Sequence, residues 1–183
     1  MTTTHARAPE GEVWHFSEDP GITSFVPHVA ATAQQPEAYV WAVDGPRCPD
    51  YWFPRDCPRA MAWRVPGCDP DLADRLLGPG VERLHVLEHG WLRALTTTVL
   101  WAYPFAAADF RPFGDPPHAH VADRPVTPLR DPHRVGDLVA AHAGAGIDLR
   151  VTGDLFGWWE RVVASGLGFS GIRLRRSPRY REV

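Results

Sequence analysis

The sequence predicts an α+β fold, in which a twisted or split, mostly antiparallel sheet carries flanking helices. Segments with strand character outnumber segments with helical character, and no internal repeat is present. The 183 residues are 44% hydrophobic and 22% charged, with a formal net charge of −3, which is typical of one soluble globular domain with its own core. We expect that domain at residues 12–176, between a flexible tail at 1–11 and an arginine-rich tail at 177–183.

Most of the predicted strands are short apolar runs bounded by Pro, Gly or Asp. The first, Glu12–Ser17, alternates with aromatic residues and ends before Pro20 and Gly21. The second, Ala38–Val43, is apolar on both faces, so we expect it to be central. Further strands are predicted at 59–65, 81–88, 97–105, 147–151 and 167–174, with short extended pieces near 22–26, 119–122 and 126–129.

The helices are predicted from caps and apolar spacing. Asp69 is a good N-cap followed by Pro70 at the first helical position, and that helix ends before Gly78. Asp154 caps a last amphipathic helix. Short helical pieces are expected near 50–53, 90–96 and 135–143. Residues 106–134 contain six prolines and are predicted to form a long irregular segment of the functional or mobile kind.

The basic residues exclude several chemistries. All 19 are arginine, so no lysine is present to form a Schiff base with pyridoxal phosphate or to serve as a P-loop lysine. Nucleic acid is not an expected partner, because the net charge is negative and basic residues cluster only near the C-terminus. No window is long and apolar enough to span a membrane, and the N-terminus lacks a secretory signal, which favours a cytoplasmic protein. The oligomeric state stays open.

The stretch Asp50–Arg64 crowds arginines, a carboxylate and a thiol between prolines. Cys57 lies between Arg55-Asp56 and Pro58-Arg59. One hypothesis makes Cys57 a nucleophile with His15 as its base, in an enzyme acting on a small metabolite. The alternative is a buried structural cysteine beside an Arg55–Asp56 pair that fixes a turn, with Arg59 helping to tie the strands together. The odd cysteine count favours free thiols over disulfides or a zinc ribbon.

Two histidine patterns are candidate metal sites. His85-Val-Leu-Glu88-His89 matches the inverted zinc-protease motif, but the motif requires a helix and the segment has strand character. His118 and His120 would share one side of an extended segment and could bind a metal, although a surface loop is equally natural there. We expect no metal cofactor.

Arginines near the C-terminus are candidate phosphate ligands. Arg173 and Arg175 alternate within the last predicted strand, so they would share one of its faces. A guanidinium there could hold a phosphate through two hydrogen bonds. A solvated tail is the alternative.

Four motifs resemble a family of uncharacterised bacterial proteins, a domain of unknown function. They are, in chain order, VWHFSEDP at 13–20, YVWAVD at 39–44, WFPRDCPR at 52–59 and FSGIR at 169–173. The last two motifs add Ser170 and Arg173, together with Arg55, Asp56 and Arg59, to the candidate ligand-binding residues. This resemblance implies no activity.

A more remote resemblance is to small bacterial ADP-ribosyltransferases that modify antibiotics. Trp14-His-Phe-Ser17, an aromatic at Tyr39 or Trp41, and the segment Val126–Leu129 are similar in order and spacing to that family's motifs. The resemblance implies that His15 and Ser17 hold a ribose of NAD and that Tyr39 or Trp41 packs on the nicotinamide. The family's catalytic carboxylate has no clear counterpart, and Glu88, Asp109 and Asp115 are the candidates.

The leading hypothesis is a cleft that binds a nucleotide-like or other phosphate-bearing small molecule. Its lining would be His15, Ser17, Tyr39, Trp41 and Arg55. If the protein is an enzyme, the reaction would be glycosyl transfer from NAD, with Arg55 or Arg173 steadying the pyrophosphate. The alternatives are the cysteine-dependent enzyme and a non-catalytic binding or accessory protein.

Overall fold

The computed structural model describes residues 6–29 and 36–180, and the fold there is α+β. In chain order the strands are β1 (Glu12–Ser17), β2 (Val40–Ala42), β3 (Arg59–Trp63), β4 (Arg83–Glu88), β5 (Leu100–Ala106), β6 (Arg111–Phe113), β7 (Ala119–Ala122), β8 (His133–Val135), β9 (Asp148–Thr152) and β10 (Gly168–Ile172). The α-helices are α1 (Pro70–Leu76), α2 (Leu92–Thr97), α3 (Leu138–Gly144) and α4 (Leu155–Val163). The predicted fold class is confirmed.

Contacts divide the chain into two compact units. The first unit consists of residues 1–55 and 98–136, and the second consists of residues 56–97 and 137–183. Each unit is therefore built from two separate segments of the sequence. The predicted boundaries at 12 and 176 stay a prediction.

The first unit contains two three-stranded antiparallel sheets. Their strand orders are β1-β5-β8 and β2-β7-β6. A single bridge joins the edge strand β1 to the edge strand β2, because Trp14 and Val43 exchange both backbone hydrogen bonds at 2.8 and 2.9 Å. This linkage gives the first unit the split, antiparallel character that the sequence predicts.

The core of the first unit lies on one face of these strands. Phe25 is at its centre, with ring centroids 5.0 Å from Tyr103 and 5.2 Å from Phe105 in edge-on arrangements that aromatic pairs prefer. The cluster comprises Val13, Phe25, Val40, Ala42, Tyr103, Phe105, Phe110, Ala122 and Val126. Alternate residues of β1 and β2 therefore point into one core.

The second unit is a four-stranded sheet in the order β10-β3-β4-β9. The pairs are antiparallel except β4 with β9, which is parallel. As predicted, Asp69 caps α1 by accepting from Asp71 N–H at 2.9 Å, and Asp154 caps α4 by accepting from Gly157 N–H at 3.0 Å. The apolar residues of α1 and α4 pack with β3 and β4 in a second core cluster.

Several predicted boundaries differ from the observed ones. The proline-rich segment contains β6 and β8, which the prediction omitted, while the predicted strand at 126–129 is reduced to one bridge between Val126 and Phe25. The helix predicted at 135–143 begins later, because Val135 is buried in β8 and Asp137 caps the helix by accepting from Val139 N–H at 2.8 Å.

The predicted alternation of Arg173 and Arg175 on one strand face is wrong. Strand β10 ends at Ile172, and Arg173 has a left-handed backbone with φ 56°. Arg175 lies in the 3₁₀ turn Leu174–Arg176 that follows. The break in extended geometry at Arg173 removes the period of two on which the prediction depended.

The described parts of the predicted tails are packed. Ala6 C=O accepts from the Trp52 indole N–H at 3.1 Å, and Ala8 N–H donates to the Cys48 sulfur at 3.3 Å. At the other end, Ser177 is buried and the Tyr180 ring lies 5.1 Å from the Phe156 ring. Ala6 and Ala8 thus have hydrogen-bond partners in the first unit, and the flexible tail at residues 1–11 stays a prediction. Residues 1–5 and 181–183 lie outside the described residues.

Within residues 6–29 and 36–180, the helices are all too short or too polar to cross a membrane.

The packing of residues 6–8 gives a testable consequence at Gly45. A Cβ at this position would overlap the backbone carbonyl of Ala8, whereas a Cβ at Gly136 in the same unit would meet nothing within 4 Å. We expect Gly45→Ala to lower the free energy of unfolding by about 1–3 kcal/mol and Gly136→Ala to leave it nearly unchanged. Chemical denaturation measures both. Equal stability of the two variants would contradict the packing of the N-terminal segment.

Candidate functional site

His15 has a fixed tautomer on the inner face of β1. Its Nδ1 lies 2.7 Å from the carbonyl oxygen of Trp41. A carbonyl oxygen only accepts, so Nδ1 carries the hydrogen. Burial lowers the pKa of His15, the bond to Trp41 opposes this, and the charges of Arg55 and His28 lower the pKa further. The ring is therefore neutral near pH 7 and its Nε2 is a hydrogen-bond acceptor.

Ser17 lies two residues further along β1, on the same face as His15. Its side chain is buried, and Oγ accepts from Asp19 N–H at 3.1 Å. The hydroxyl hydrogen is a separate donor, which this contact does not use. His15 and Ser17 thus present an acceptor and a donor side by side.

The turn after β1 is held in place by Tyr103. The Tyr103 hydroxyl donates to Asp19 C=O at 2.6 Å and accepts from Ile22 N–H at 3.0 Å. The Asp19 carboxylate also accepts from Gly21 N–H at 2.8 Å. These bonds explain why the polar residues of the Ser-Glu-Asp-Pro sequence follow the strand, since they fix the turn beside Ser17.

Arg55 supplies positive charge to the same unit. Its side chain is exposed, and its backbone N–H donates to the Glu18 carboxylate at 2.8 Å. Its charge acts on His15, because it contributes to the lowering of the histidine pKa. An anionic group bound near His15 would therefore be attracted by Arg55.

Tyr39 and Trp41 lie on the opposite face of β2 from the core. Val40 and Ala42 point into the core shared with Val13, and the alternation of a strand turns Tyr39 and Trp41 the other way. There the Trp41 ring packs 4.9 Å from the Phe113 ring.

Arg111 completes this outer aromatic group. Its guanidinium carbon lies 5.1 Å from the Tyr39 ring centroid, and its Nη2 donates to the Tyr39 hydroxyl at 2.9 Å. The predicted stacking of Tyr39 or Trp41 on a ligand held by His15 therefore does not fit the strand geometry. The backbone carbonyl of Trp41, which orients His15, is the contribution of this residue to the site.

Six of the predicted site residues belong to the second unit, namely Asp56, Cys57, Arg59, Glu88, Ser170 and Arg173. Cys57 is fully buried and its thiol donates to Pro58 C=O at 3.4 Å. Burial raises the pKa of Cys57 to about 12, the charge of Arg59 opposes this and the charge of Glu88 adds to it. The thiol is therefore protonated at neutral pH, and its geometry favours the structural interpretation over the nucleophile. His15, its predicted base, belongs to the first unit.

Asp56 pairs with arginines of the C-terminal segment, whereas the sequence predicted a pair with Arg55. Its Oδ1 lies 3.2 Å from Arg173 Nη1 and 3.1 Å from Arg176 Nη1. This pairing anchors the turn after β10 and gives Arg173 a structural contact. Ser170 is half-buried in β10, opposite Met61 of β3.

Arg59 and Glu88 are both buried. Arg59 Nη1 donates to Cys57 C=O at 3.1 Å, and the Glu88 carboxylate accepts from the Ser177 hydroxyl at 2.7 Å. A buried charge is tolerated when hydrogen bonds hold it, so both contacts stabilise the second unit. Among the three predicted carboxylates, Asp109 forms an ion pair with Arg124 at 2.7 Å.

Sequence reasoning missed a buried histidine pair in the second unit. Arg83 Nε donates to His85 Nε2 at 3.0 Å, and His85 Nδ1 and His142 Nε2 are 3.1 Å apart. His142 Nδ1 donates to Leu138 C=O at 2.7 Å. Because Leu138 accepts and Arg83 donates, each histidine is neutral, and His85 donates to His142. Burial lowers the pKa of His142 to about 4.

This pair had only a weak signal in the sequence. His85 alternates with Leu84 and Val86 in a strand, as predicted, so the inverted zinc-protease motif is not helical. His142 follows Leu138 by one helical turn on the buried side of α3. Across residues 6–29 and 36–180, no group of three or more His, Cys, Asp or Glu side chains is arranged to hold a metal ion.

Together these features define an α+β protein whose first unit carries a fixed neutral histidine beside a buried serine. The chain belongs to a family of unknown function (DUF6886), which matches residues 14–177. Neither a curated protein nor a solved structure matches the chain.

The burial of the thiols predicts their reactivity. Burial raises the pKa of Cys48, like that of Cys57, to about 12, whereas Cys68 is partly exposed. We expect iodoacetamide at about pH 8 to label Cys68 in the folded protein and all three cysteines after unfolding. Peptide mass spectrometry reads the sites. Rapid labelling of Cys57 in the folded protein would revive the nucleophile hypothesis.

The histidine pair predicts a loss of stability in acid. The folded-state pKa of His142, about 4, is below its ordinary value of 6.5, so the unfolded chain takes up the proton first. The contribution of neutral His142 to the free energy of unfolding is fully present above pH 6.5. It is lost as the pH falls, by about 3 kcal/mol between pH 7.5 and pH 4. Urea denaturation of the wild type and of His142→Gln should therefore differ in pH slope. The same slope in both proteins would refute the assignment.

Proposed function

We propose that the first unit binds a phosphate-bearing small molecule with free hydroxyl groups, a nucleotide-like ligand, on the face of β1 that carries His15 and Ser17. The observation that carries this proposal is the tautomer of His15. Its Nδ1–H is bonded to the Trp41 carbonyl at 2.7 Å, which leaves Nε2 as an acceptor on a half-buried residue. A neutral acceptor of this kind suits a hydroxyl group.

Ser17 supplies the complementary donor. Successive residues on one strand face are about 6.6 Å apart, so the two side chains can contact neighbouring groups of one small ligand. A vicinal diol such as that of ribose offers a hydroxyl hydrogen to His15 and a hydroxyl oxygen to Ser17. This pairing supports a ribosyl unit over a purely aromatic ligand.

Arg55 supports an anionic group on the same ligand. Its exposed guanidinium acts electrostatically on His15 and can form paired hydrogen bonds with a phosphate. A hydroxyl-bearing ring beside a phosphate is the chemistry of a nucleotide. NAD and ADP-ribose are the first ligands to test, because the motif around His15 resembles that of ADP-ribosyltransferases.

Transfer of an ADP-ribosyl or other glycosyl group would be the catalytic extension of this binding. The step would break the bond from the ribose anomeric carbon to nicotinamide, with the electron pair leaving on the nicotinamide nitrogen, and a nucleophilic atom of the acceptor would form the new bond to the same carbon. It then needs a carboxylate beside the oxocarbenium-like centre. Asp109 is paired with Arg124, and the Glu88 carboxylate is buried in the second unit and hydrogen-bonded to Ser177. Binding is therefore the function that the geometry supports best.

One substitution at His15 and a matched control at His89 separate folding from binding. Asn at position 15 keeps an N–H where Nδ1 stands, so it can still donate to the Trp41 carbonyl, but it has no atom at the Nε2 position. We expect His15→Asn to remain folded and to bind ADP-ribose about tenfold more weakly than the wild type in calorimetry. His89→Asn, at an exposed histidine of the second unit, is the matched control and should bind normally.

The same titrations identify the phosphate contact. Arg55→Ala should weaken binding of ADP-ribose while leaving the much weaker binding of ribose unaltered, because only the phosphate is attracted by the guanidinium. No heat from NAD, ADP-ribose or ribose 5-phosphate at millimolar concentration, with folded wild-type protein, would reject the proposal and favour an accessory role.

We expect acid to abolish ADP-ribose binding, because it protonates His15. Protonation of His15 places a hydrogen on Nε2 and removes the acceptor. The pKa of His15 is lowered, so the acceptor is present at pH 7 and is lost only as the pH falls below the ordinary range of histidine. Calorimetry between pH 8 and pH 4.5 should show this loss in the wild type and a flatter profile in His15→Asn. A flat wild-type profile would argue against hydrogen bonding through Nε2.

A further inference from the structure

We propose that the ligand of this site carries a planar aromatic base, which stacks on Trp101 of β5 while the attached ribose contacts His15 and Ser17. This inference rests on the proposed function and narrows its ligand from a phosphate-bearing polyol to a true nucleotide. It also assigns the stacking role, which Tyr39 and Trp41 cannot fill from the outer face, to a residue that neither the motifs nor the resemblance indicates.

The register of the first sheet places Trp101 beside the two site residues. Trp101 of β5 is directly opposite Ser17 of β1, and Tyr103 is directly opposite His15. Directly opposed residues of antiparallel strands point to the same face of a sheet. Trp101 therefore shares its face with His15 and Ser17, as the direct neighbour of Ser17 and the diagonal neighbour of His15.

This shared face is the inner one, and it opens to solvent along β5. Phe105 and Tyr103 are fully buried in the core cluster, Trp101 packs against that cluster and is half-buried, and Val99, just before the strand, is 37% exposed. Arg134 of β8, which is directly opposite Trp101, is also exposed. The face thus passes from core to solvent at Trp101.

The exposed part of Trp101 belongs to its side chain. Strand β5 is paired on both sides, with β1 and with β8, so neighbouring strands cover its backbone. Among the described residues, the buried side-chain nitrogen without a hydrogen-bond partner is that of His120, so the unbonded indole nitrogen of Trp101 reaches solvent. A flat ligand can therefore contact the indole without displacing a core residue.

The indole of Trp101 also differs from other tryptophans in its contacts. Trp14, Trp41 and Trp159 each pack against another aromatic ring. Trp101 has no such ring contact within residues 6–29 and 36–180. Aromatic rings gain from stacking on one another, so a planar base would supply a contact that the protein itself does not.

The spacing of the site residues fits a nucleoside. Diagonal neighbours on adjacent antiparallel strands are about 7–8 Å apart, a span within reach of aromatic side chains. In a nucleoside the base is bonded directly to the ribose. A ribose held by His15 and Ser17 therefore places its base beside Trp101.

Ligands with and without a base test this assignment. Ribose 5-phosphate has the ribose and the phosphate of AMP but no base, and nicotinamide mononucleotide carries a different ring at the same position. We expect the wild type to bind at least one of the two nucleotides about tenfold more tightly than ribose 5-phosphate in calorimetry, because only a base can stack.

Substitutions at Trp101 locate the origin of this preference. Trp101→Leu should abolish the preference and leave the affinity for ribose 5-phosphate unchanged, whereas Trp101→Phe should retain most of it, because phenylalanine still stacks. Trp159→Leu, at a half-buried tryptophan of the second unit, is the matched control and should keep the wild-type preference. Thermal unfolding verifies that each variant is folded.

The outcomes separate this inference from the proposed function. Equal affinity of the wild type for ribose 5-phosphate and both nucleotides would overturn the role of Trp101 and leave the His15 site standing. An unchanged nucleotide preference in folded Trp101→Leu would have the same meaning. Absence of binding by all three ligands would overturn this inference together with the proposed function.

Fluorescence covers a leucine variant that fails to fold. A base stacked on an indole quenches its emission, so the bound nucleotide should quench the tryptophan fluorescence of the wild type, and ribose 5-phosphate should not. The quenching should disappear in Trp101→Phe and persist in Trp159→Phe. Quenching of the wild-type size in Trp101→Phe would place the base on another tryptophan and overturn the inference.

Discussion

Two backbone hydrogen bonds between Trp14 and Val43 are the constraint on which the first unit depends. They join its two sheets at a single point and set the register of β1 against β2. That register brings the Trp41 carbonyl within reach of His15 and makes Ala42 its neighbour. A slip of one residue would turn His15 to the outer face, because side chains alternate along a strand. The position and the tautomer of the histidine are therefore both consequences of backbone geometry.

The two units treat their polar groups differently. In the second unit the buried polar groups bond to one another, as in the pairs His85 with His142 and Glu88 with Ser177. Such pairs stabilise a fold because breaking the bond would leave a buried polar or charged group without a hydrogen-bond partner. In the first unit, by contrast, His15 uses Nδ1 and Ser17 uses its oxygen as acceptor in bonds within the protein, while His15 Nε2 and the Ser17 hydroxyl hydrogen remain for a further hydrogen bond. This difference favours a ligand site in the first unit and a structural role for the polar core of the second.

The sequence was sufficient for elements whose signals are local. Strand β1 has the predicted bounds, and the helices α1 and α4 follow the predicted caps Asp69 and Asp154. Strands β6 and β8 were missed because they are three residues long and lie among prolines, so their hydrogen-bond partners define them more than their own residues do. The packing of residues 6–8 depends on Trp52, which is distant in the chain.

The same distinction applies to the candidate site, where some residues could be predicted from adjacent positions and others depend on contacts with distant parts of the chain. His15 and Ser17 were found from adjacent positions in one motif. The side of the strand on which Tyr39 and Trp41 lie could not be predicted in this way, since both faces of the predicted strand are apolar. It is determined by which residues of β2, Val40 and Ala42, belong to the core. The buried histidine pair could not be found in this way either, because His142 bonds to a partner 57 residues away.

The interleaving of the two units has a consequence for synthesis on the ribosome. The segment 56–97 emerges after the first part of one unit and must wait while residues 98–136 are made, before its own partners β9 and β10 are translated. During that interval β4 lacks its parallel neighbour β9 and β3 lacks its neighbour β10, so two apolar strand edges are unprotected in the nascent chain. Chaperone dependence should thus be greatest for chains arrested near residue 136.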